Sequence, residues 1–397
     1  MTGKLDLFDP AFRQDPYPFF AAHRAAGGLA PVDPIGAWLA TRYDIVSEIL
    51  RRPGDFSSTA MAGAALQVRE GEDGPPPMII TLDPPDHDRL RALVNRGFTP
   101  RRIGASEPRL RAIADDLFTA VDAKLDTDGE CDLMEALAIP FPLRVIAEML
   151  GIEAERFEEF KRWSLAIVAV FGRIPDAAAR ATFEASIDAL GEYLERKIEE
   201  RRREPAEDLI SVLVEKEEED ALTPDEVIGF CVLLLIAGNE TTTNLVGTTA
   251  VALLENPAEL EAVVDDPSLV PALVEEAVRY ASPVQTLFRQ ATRDVEIAGQ
   301  KIPEGAIVMP SYAAANRDPE RFPDPERFDV RRNTQGHLGF GQGIHFCLGA
   351  GLARLEARVV FEELIPRLAG LRRRDARVDW SDSPFLRGPR SLPLVPR

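Results

Sequence analysis

The sequence predicts a mainly α-helical fold with a minor β part. Three observations carry that expectation. Apolar residues recur at three- and four-residue intervals over Leu110–Leu125, Glu155–Ala169 and Ala177–Arg203, the spacing of one buried helix face. From Pro224 no further proline occurs until Pro257, which leaves room for one helix of about 32 residues, ~48 Å long at ~1.5 Å per residue. Beyond Ser282 the texture changes to short apolar runs between Gly and Pro, which read as strands.

The long helix has the clearest start. In Thr223-Pro224-Asp225-Glu226, Thr suits the N-cap, Pro suits the first turn, and Glu at the third position completes a capping box. This helix is apolar nearly all round, so it should run through the core. Asn256-Pro257-Ala258-Glu259 restarts a second helix by the same logic. Val295–Ile297 and Ala306–Met309 are expected strands, and Pro319–Arg332 a proline-rich coil. A final helix should run from near Leu348 to about Leu364. Gly71–Pro77 (GEDGPPP) reads as a surface loop, and the acidic run Glu217–Asp220 as a solvated face. No repeat or linker divides the chain, so residues 1–397 are expected to form a single domain.

Composition excludes several classes of function. The 397 residues hold 46 Lys+Arg and 66 Asp+Glu, a net charge of −20. Such a surface argues against a nucleic-acid partner and against anchorage on anionic lipid. The strongest apolar run, Cys231–Gly238, is eight residues long, against roughly 20 for a membrane span. Met1–Phe12 has no apolar core of leader length. Three scattered cysteines, Cys131, Cys231 and Cys347, do not make a disulfide framework. A cytoplasmic protein without a membrane partner is expected.

Three segments carry chemistry. In Phe340-Gly341-Gln342-Gly343-Ile344-His345-Phe346-Cys347-Leu348-Gly349 a lone Cys follows a glycine-rich turn and opens a helix. Amides at a helix N-terminus favour a thiolate, and Phe340 could shield its sulfur. A zinc site would need four ligands, and only His345 is near. Gly339, Gly341 and Gly343 have the wrong spacing for a dinucleotide loop. A buried, inert Cys remains open. In Ala237-Gly238-Asn239-Glu240-Thr241-Thr242, Gly238 permits close approach of a flat ligand. Thr241 can bond the Ala237 carbonyl, and Glu240 is a charge inside an apolar helix. A polar stripe facing a cavity would look the same. Glu276 and Arg279, three apart, share a helix face.

Phe340, Gly343, Cys347 and Gly349 match F-x-x-G-x-x-x-C-x-G. The sequence there resembles the haem-ligand signature of the cytochrome P450 haem-thiolate monooxygenases, in particular the soluble bacterial class. The resemblance runs strongly from Asp83 to Arg354 and more weakly through Asp15-Pro16-Tyr17-Pro18 and Arg387-Gly388-Pro389. It implies the P450 fold, with a long central helix crossing a buried haem. Cys347 would be the axial thiolate ligand of haem b iron, which favours O–O cleavage. Ala237, Gly238, Phe340, Gly341 and Gly349 would border the haem. His87, Arg91, Arg289 and His345 would meet its propionates. Glu240, where many bacterial members carry Asp, would relay protons, and Thr241 would steady the oxygen being activated. Glu276 and Arg279 would form a structural triad with Arg327.

The implied reaction inserts one atom of O2 into a small, mainly apolar substrate, by hydroxylation or epoxidation, and the other atom leaves as water. Ile80, Leu233, Ile236, Ala237, Val284, Leu287 and Phe385 would line the pocket. Leu165–Phe183, centred on Gly172 and Pro175, would form a mobile roof. The chain holds no flavin fingerprint and no Cys cluster for an iron–sulfur centre, so a ferredoxin and a ferredoxin reductase are expected as donors. Arg91, Arg96, Arg101, Arg102 and Arg354 are candidate docking cations. Two rivals stand beside this reading: peroxide-driven or other haem-thiolate chemistry, and a non-catalytic haem- or small-molecule-binding helical protein.

Overall fold

The computed structural model describes residues 6–33, 36–61, 77–170, 176–215 and 221–397. Most of the Gly71–Pro77 loop, the roof centre with Gly172 and Pro175, and the acidic run Glu217–Asp220 lie outside the described residues.

The central helix spans Pro224–Glu255, and its capping box is formed in full. Thr223 Oγ1 accepts from the Glu226 amide at 3.2 Å, and Glu226 Oε2 accepts from the Thr223 amide at 2.9 Å. The next helix begins at Pro257, so the proline closes the first helix and opens the second. The central helix packs against Pro140–Met149, Phe157–Val170, Val270–Tyr280 and Ala350–Leu368. Val227, Cys231, Leu235, Leu245, Val246 and Leu253 are buried within it. Each Leu or Val removed from water there contributes ~1.5–3 kcal/mol before ordering costs. Among the described residues it is the one helix long and apolar enough to cross a membrane, and 72% of its most apolar window is buried inside the protein.

Helix Ala177–Arg203 has the bounds that its periodicity predicts. Helix Pro100–Asp128 is longer than the periodic stretch Leu110–Leu125. Thr99 caps it, Pro100 opens it, and Pro108 stands inside it. Pro108 is exposed, so the Gly104 carbonyl that it leaves without an amide partner can meet water. Apolar spacing marks only the face that meets the C-terminal helix, and hence only part of the length. That last helix runs Ala350–Leu368.

The β part holds a five-stranded sheet in the order Leu29–Pro31, Trp38–Ala40, Ile307–Pro310, Arg289–Ala291, Phe56–Ser57. Trp38–Ala40 runs parallel to Ile307–Pro310, and the other neighbours are antiparallel. Val295–Ile297 pairs with Gln300–Ile302 as a separate hairpin. Pro319–Arg332 forms neither helix nor strand.

One carboxyl buried in the helical core has no charged partner among the described residues. Glu356, on the C-terminal helix, is 3% exposed, and its Oε2 has no hydrogen-bond partner. Burial pushes its carboxyl up to about 8, against a weaker opposing hydrogen bond from Thr242 of the central helix. A folded carboxyl that holds its proton to higher pH than the unfolded one favours folding fully below the unfolded value of 4.5. That advantage is lost as pH rises through about 8. Glu356→Gln should therefore flatten the decline in stability between pH 5 and 8 and raise the melting temperature relative to the parent at pH 8. Thermal unfolding of both proteins across that range checks it.

Candidate active site

Cys347 lies between a 3-10 turn, Gly343–His345, and the C-terminal helix. The turn needs its glycines: Gly341 and Gly343 have φ of 72° and 76°, and a Cβ at Gly343 would collide with the Leu50 carbonyl. The Cys347 amide donates to the Phe340 carbonyl at 2.9 Å, which pins the cysteine beneath the start of its own loop. Burial pushes the thiol up. The Gly349 amide, which donates to the sulfur, and the Arg91 and Arg354 guanidiniums pull the other way. The residue is nevertheless accessible on its surface, as is its neighbour Phe346. A side chain that is both accessible and desolvated opens into a space enclosed by protein.

The central helix borders open space as well. Ala237 is exposed in a helix otherwise largely buried, and Leu233, Glu240 and Thr241, at helical spacing from it, are half-buried. Thr241 Oγ1 donates to the Ala237 carbonyl at 2.6 Å, the back-bond that the sequence suggests. The expected role of Gly238 needs correction. A Cβ there would meet Ile146 at 3.2 Å, so its missing side chain serves close approach of helix Pro140–Met149 rather than of a flat ligand. Ala237 is the small residue on the open face.

A group of basic side chains gathers near the loop. His87 and His345 have ring centroids 4.4 Å apart. His345 Nε2 is bonded to Ser58 Oγ at 2.8 Å, and the Ser58 amide donates to Asp83 at 2.8 Å. Burial, and then the charges of Arg289, His87 and Arg91, push the His345 imidazole down to about 3. His87 is 1% exposed; its Nδ1 donates to Asp88 at 2.9 Å, and its Nε2 is buried with no partner. Arg91 donates to the Phe346 carbonyl at 2.8 Å and Arg289 to the Phe288 carbonyl at 2.7 Å. Among the described residues neither has a carboxylate at ion-pair distance. Two guanidiniums without a carboxylate partner, beside a neutral His345 and an orphaned imidazole nitrogen, fit an anionic ligand. With a soft sulfur donor next to them, the donor set fits a metal-centred, acid-bearing group such as haem.

Glu276 and Arg279 are both fully buried. Arg279 Nε and Nη2 donate to the two Glu276 oxygens at 2.7 and 2.8 Å. Arg279 also donates to the carbonyls of Asn316, Pro325 and Arg327, at 2.9, 3.0 and 3.3 Å. The third charge is not Arg327, as the sequence suggests. That side chain is 65% exposed and reaches toward Glu259 at 3.9 Å, whereas Arg332 Nε lies 3.4 Å from Glu276 Oε1 and is 10% exposed. Arg327 contributes its backbone carbonyl.

Of the expected pocket residues, Ile80, Leu233, Val284, Leu287 and Phe385 are half-buried. The Gln285 amide donates to the Phe385 carbonyl at 2.7 Å, which ties the segment after Pro283 to the C-terminal strand region. Phe288, which the sequence reading missed, stacks edge-on against Phe385 at 4.9 Å. Ile236 is corrected: it is 5% exposed and turned into the helical core, about 100° round the helix from Ala237. Of the docking candidates, Arg101 and Arg102 are exposed, but Arg354 is bonded to Glu275 and Arg91 turns inward to Phe346. Ser58, Glu275, His337, Arg332 and Glu356 carry no motif of their own, and only the fold brings them to this region.

Comparison with known proteins agrees with this geometry. Residues 34–371 match the family model described as Cytochrome P450. The solved structure of cytochrome P450 CYP109Q5 from Chondromyces apiculatus is 43% identical with a TM-score of 0.92, covering 100% of this chain and 99% of that one. CYP109E1 from Bacillus megaterium in complex with testosterone is 36% identical with a TM-score of 0.86, covering 96% and 99%. The vitamin D(3) 25-hydroxylase of Pseudonocardia autotrophica is 40% identical over 99% of this chain and 97% of its own length.

The corrected triad has a measurable consequence. Arg332→Gln should lower stability by about 1–3 kcal/mol, because it strips a partner from a fully buried carboxylate. Arg327→Gln, at an exposed side chain, should stay within about 0.5 kcal/mol of the parent. Urea unfolding of the two variants side by side distinguishes them.

Proposed function

This chain belongs to the cytochrome P450 family and is a P450 monooxygenase, and from that premise we propose the identity of its working residues, its electron donors and the character of its substrate. The whole chain forms one domain that holds haem b through Cys347. The observation that carries the reading is the Cys347 sulfur: accessible, faced by the Gly349 amide and two guanidiniums, and grouped with Arg91 and Arg289, which have no carboxylate at ion-pair distance among the described residues, and with the partnerless Nε2 of His87. His87, Arg91, Arg289 and His345 bind the propionates, and the buried Nε2 of His87 gains the partner that it lacks. Phe340, Gly341 and Gly349 enclose the sulfur, and Ala237 leaves room above the ring. Bound haem supplies reduction of O2 and transfer of one oxygen atom to substrate, with two electrons and two protons taking the other atom to water.

The protein's own part is to deliver protons and exclude water. Thr241 donates its hydroxyl proton to the Ala237 carbonyl, so its oxygen is left to accept a hydrogen bond, which steadies the oxygen being activated. Glu240, one residue before it, is half-buried and supplies the proton from the cleft side. Leu233, Ile80, Val284, Leu287, Phe288 and Phe385 present apolar surface, which suits a mainly apolar substrate without a charged anchor. A sterol-like size is supported by the vitamin D(3) hydroxylase and by the testosterone complex among its relatives. Electrons come from a separate ferredoxin and its reductase in the cytoplasm, docking near Arg101 and Arg102.

Turnover of a sterol-type substrate with NADH, a ferredoxin and its reductase tests the reading. Oxygenated product matching O2 uptake is expected. Product formed with hydrogen peroxide but not with the ferredoxin system would overturn the donor assignment. Thr241→Ala should lower product per NADH and raise hydrogen peroxide release by the missing electron pairs; coupling equal to the parent would remove Thr241 from its role.

A further inference from the structure

Glu275 immediately precedes the buried Glu276 and has different partners. Arg354 donates to it twice, Nε to Oε1 at 2.5 Å and Nη2 to Oε2 at 3.0 Å. His337 Nε2 is 2.9 Å from Oε2. The His337 tautomer follows from its other nitrogen: the Gly339 amide donates to Nδ1 at 3.2 Å, so the neutral ring carries its proton on Nε2 and donates it to Glu275. Burial alone would raise the Glu275 carboxyl. The hydrogen bonds from His337 and Arg354 together outweigh it and hold the group at about 2, so it is charged at any working pH.

Both donors also bear on the cysteine loop. The Arg354 guanidinium carbon is 4.4 Å from the centre of the Phe340 ring, and the His337 ring is 5.8 Å from it. Phe340 in turn takes the Cys347 amide on its carbonyl. Arg354 stands in the first turns of helix Ala350–Leu368, which starts just after Cys347. Glu275 thus stands one residue removed from the sulfur, as the countercharge of the cation that acts on it.

We propose that Glu275 is a positioning residue that clamps Arg354 and His337 against Phe340 and, by partly cancelling the Arg354 charge, sets the reduction potential of iron held by Cys347. This rests on the haem-thiolate reading above. Reduction adds one electron at the iron, so nearby positive charge favours the reduced form. Removing the Glu275 charge must raise the potential, and removing the Arg354 charge must lower it. A loop that is merely loosened would shift both variants in the same direction.

The test is a spectroelectrochemical titration of haem-loaded parent, Glu275→Gln, Arg354→Gln, Arg354→Lys and the Glu275→Gln/Arg354→Gln double variant. Each is first checked for a thiolate-type band of the reduced carbon monoxide complex. The expected result is a positive shift for Glu275→Gln, a negative shift for Arg354→Gln and a double variant between them. Arg354→Lys, which keeps the charge with a looser clamp, should stay near the parent and guards against damage from the substitution itself. Shifts of one sign, no shifts, or an Arg354→Lys shift as large as that of Arg354→Gln would overturn the proposal while leaving haem ligation standing. Absence of the thiolate band in the parent would overturn both.

Discussion

A cysteine inside a protein can act as a thiolate only where other groups replace the water it gives up, and around Cys347 two kinds of group oppose the effect of burial. Burial alone drives the sulfur toward its protonated form. The Gly349 amide, where the C-terminal helix begins, offers one hydrogen bond, and positive charge comes from Arg354 on that helix and from Arg91, far away in sequence. The left-handed turns at Gly341 and Gly343 let the loop ahead of the cysteine pass close to the Leu50 carbonyl.

The loop is held by charges that solvent does not reach. Arg279 is fully buried and gathers Glu276 and three backbone carbonyls, so the coil after Asn316 is tied to helix Val270–Tyr280. Breaking such a pair by removing one partner costs about 3–5 kcal/mol, mostly because the other charge is stranded. The next residue along, Glu275, connects the same helix to Arg354 and His337. Two adjacent glutamates thereby couple the scaffold to the loop, one through its backbone path and one through the ring of Phe340.

The helical frame was legible because its signals are local. The Thr223 capping box and the proline-free run to Pro257 define the central helix within the chain itself. Cys347 and its glycines were legible for the same reason: the chemistry is written within ten consecutive residues. Legibility failed where a role depends on which way a side chain turns. Arg327 and Arg332 are near neighbours in one coil, and spacing alone does not say which reaches Glu276. Gly238 and Ala237 are adjacent small residues on one helix, and only the position of Ile146 shows which face is packed. Ile236 is apolar whether it meets ligand or core. Ser58, Glu275, His337 and Glu356 are common residues without a motif, joined to the site by contacts between segments far apart in sequence.

The central claim is that Cys347, as thiolate, binds haem iron in the space between the cysteine loop and the central helix. The difference spectrum of the reduced protein with and without carbon monoxide tests it most directly, for the parent and for Cys347→His. The account predicts a Soret band at the long-wavelength position of thiolate-ligated haem in the parent, lost in the variant while the fold persists. A histidine-type band in the parent, or an unchanged thiolate-type band in Cys347→His, would contradict it.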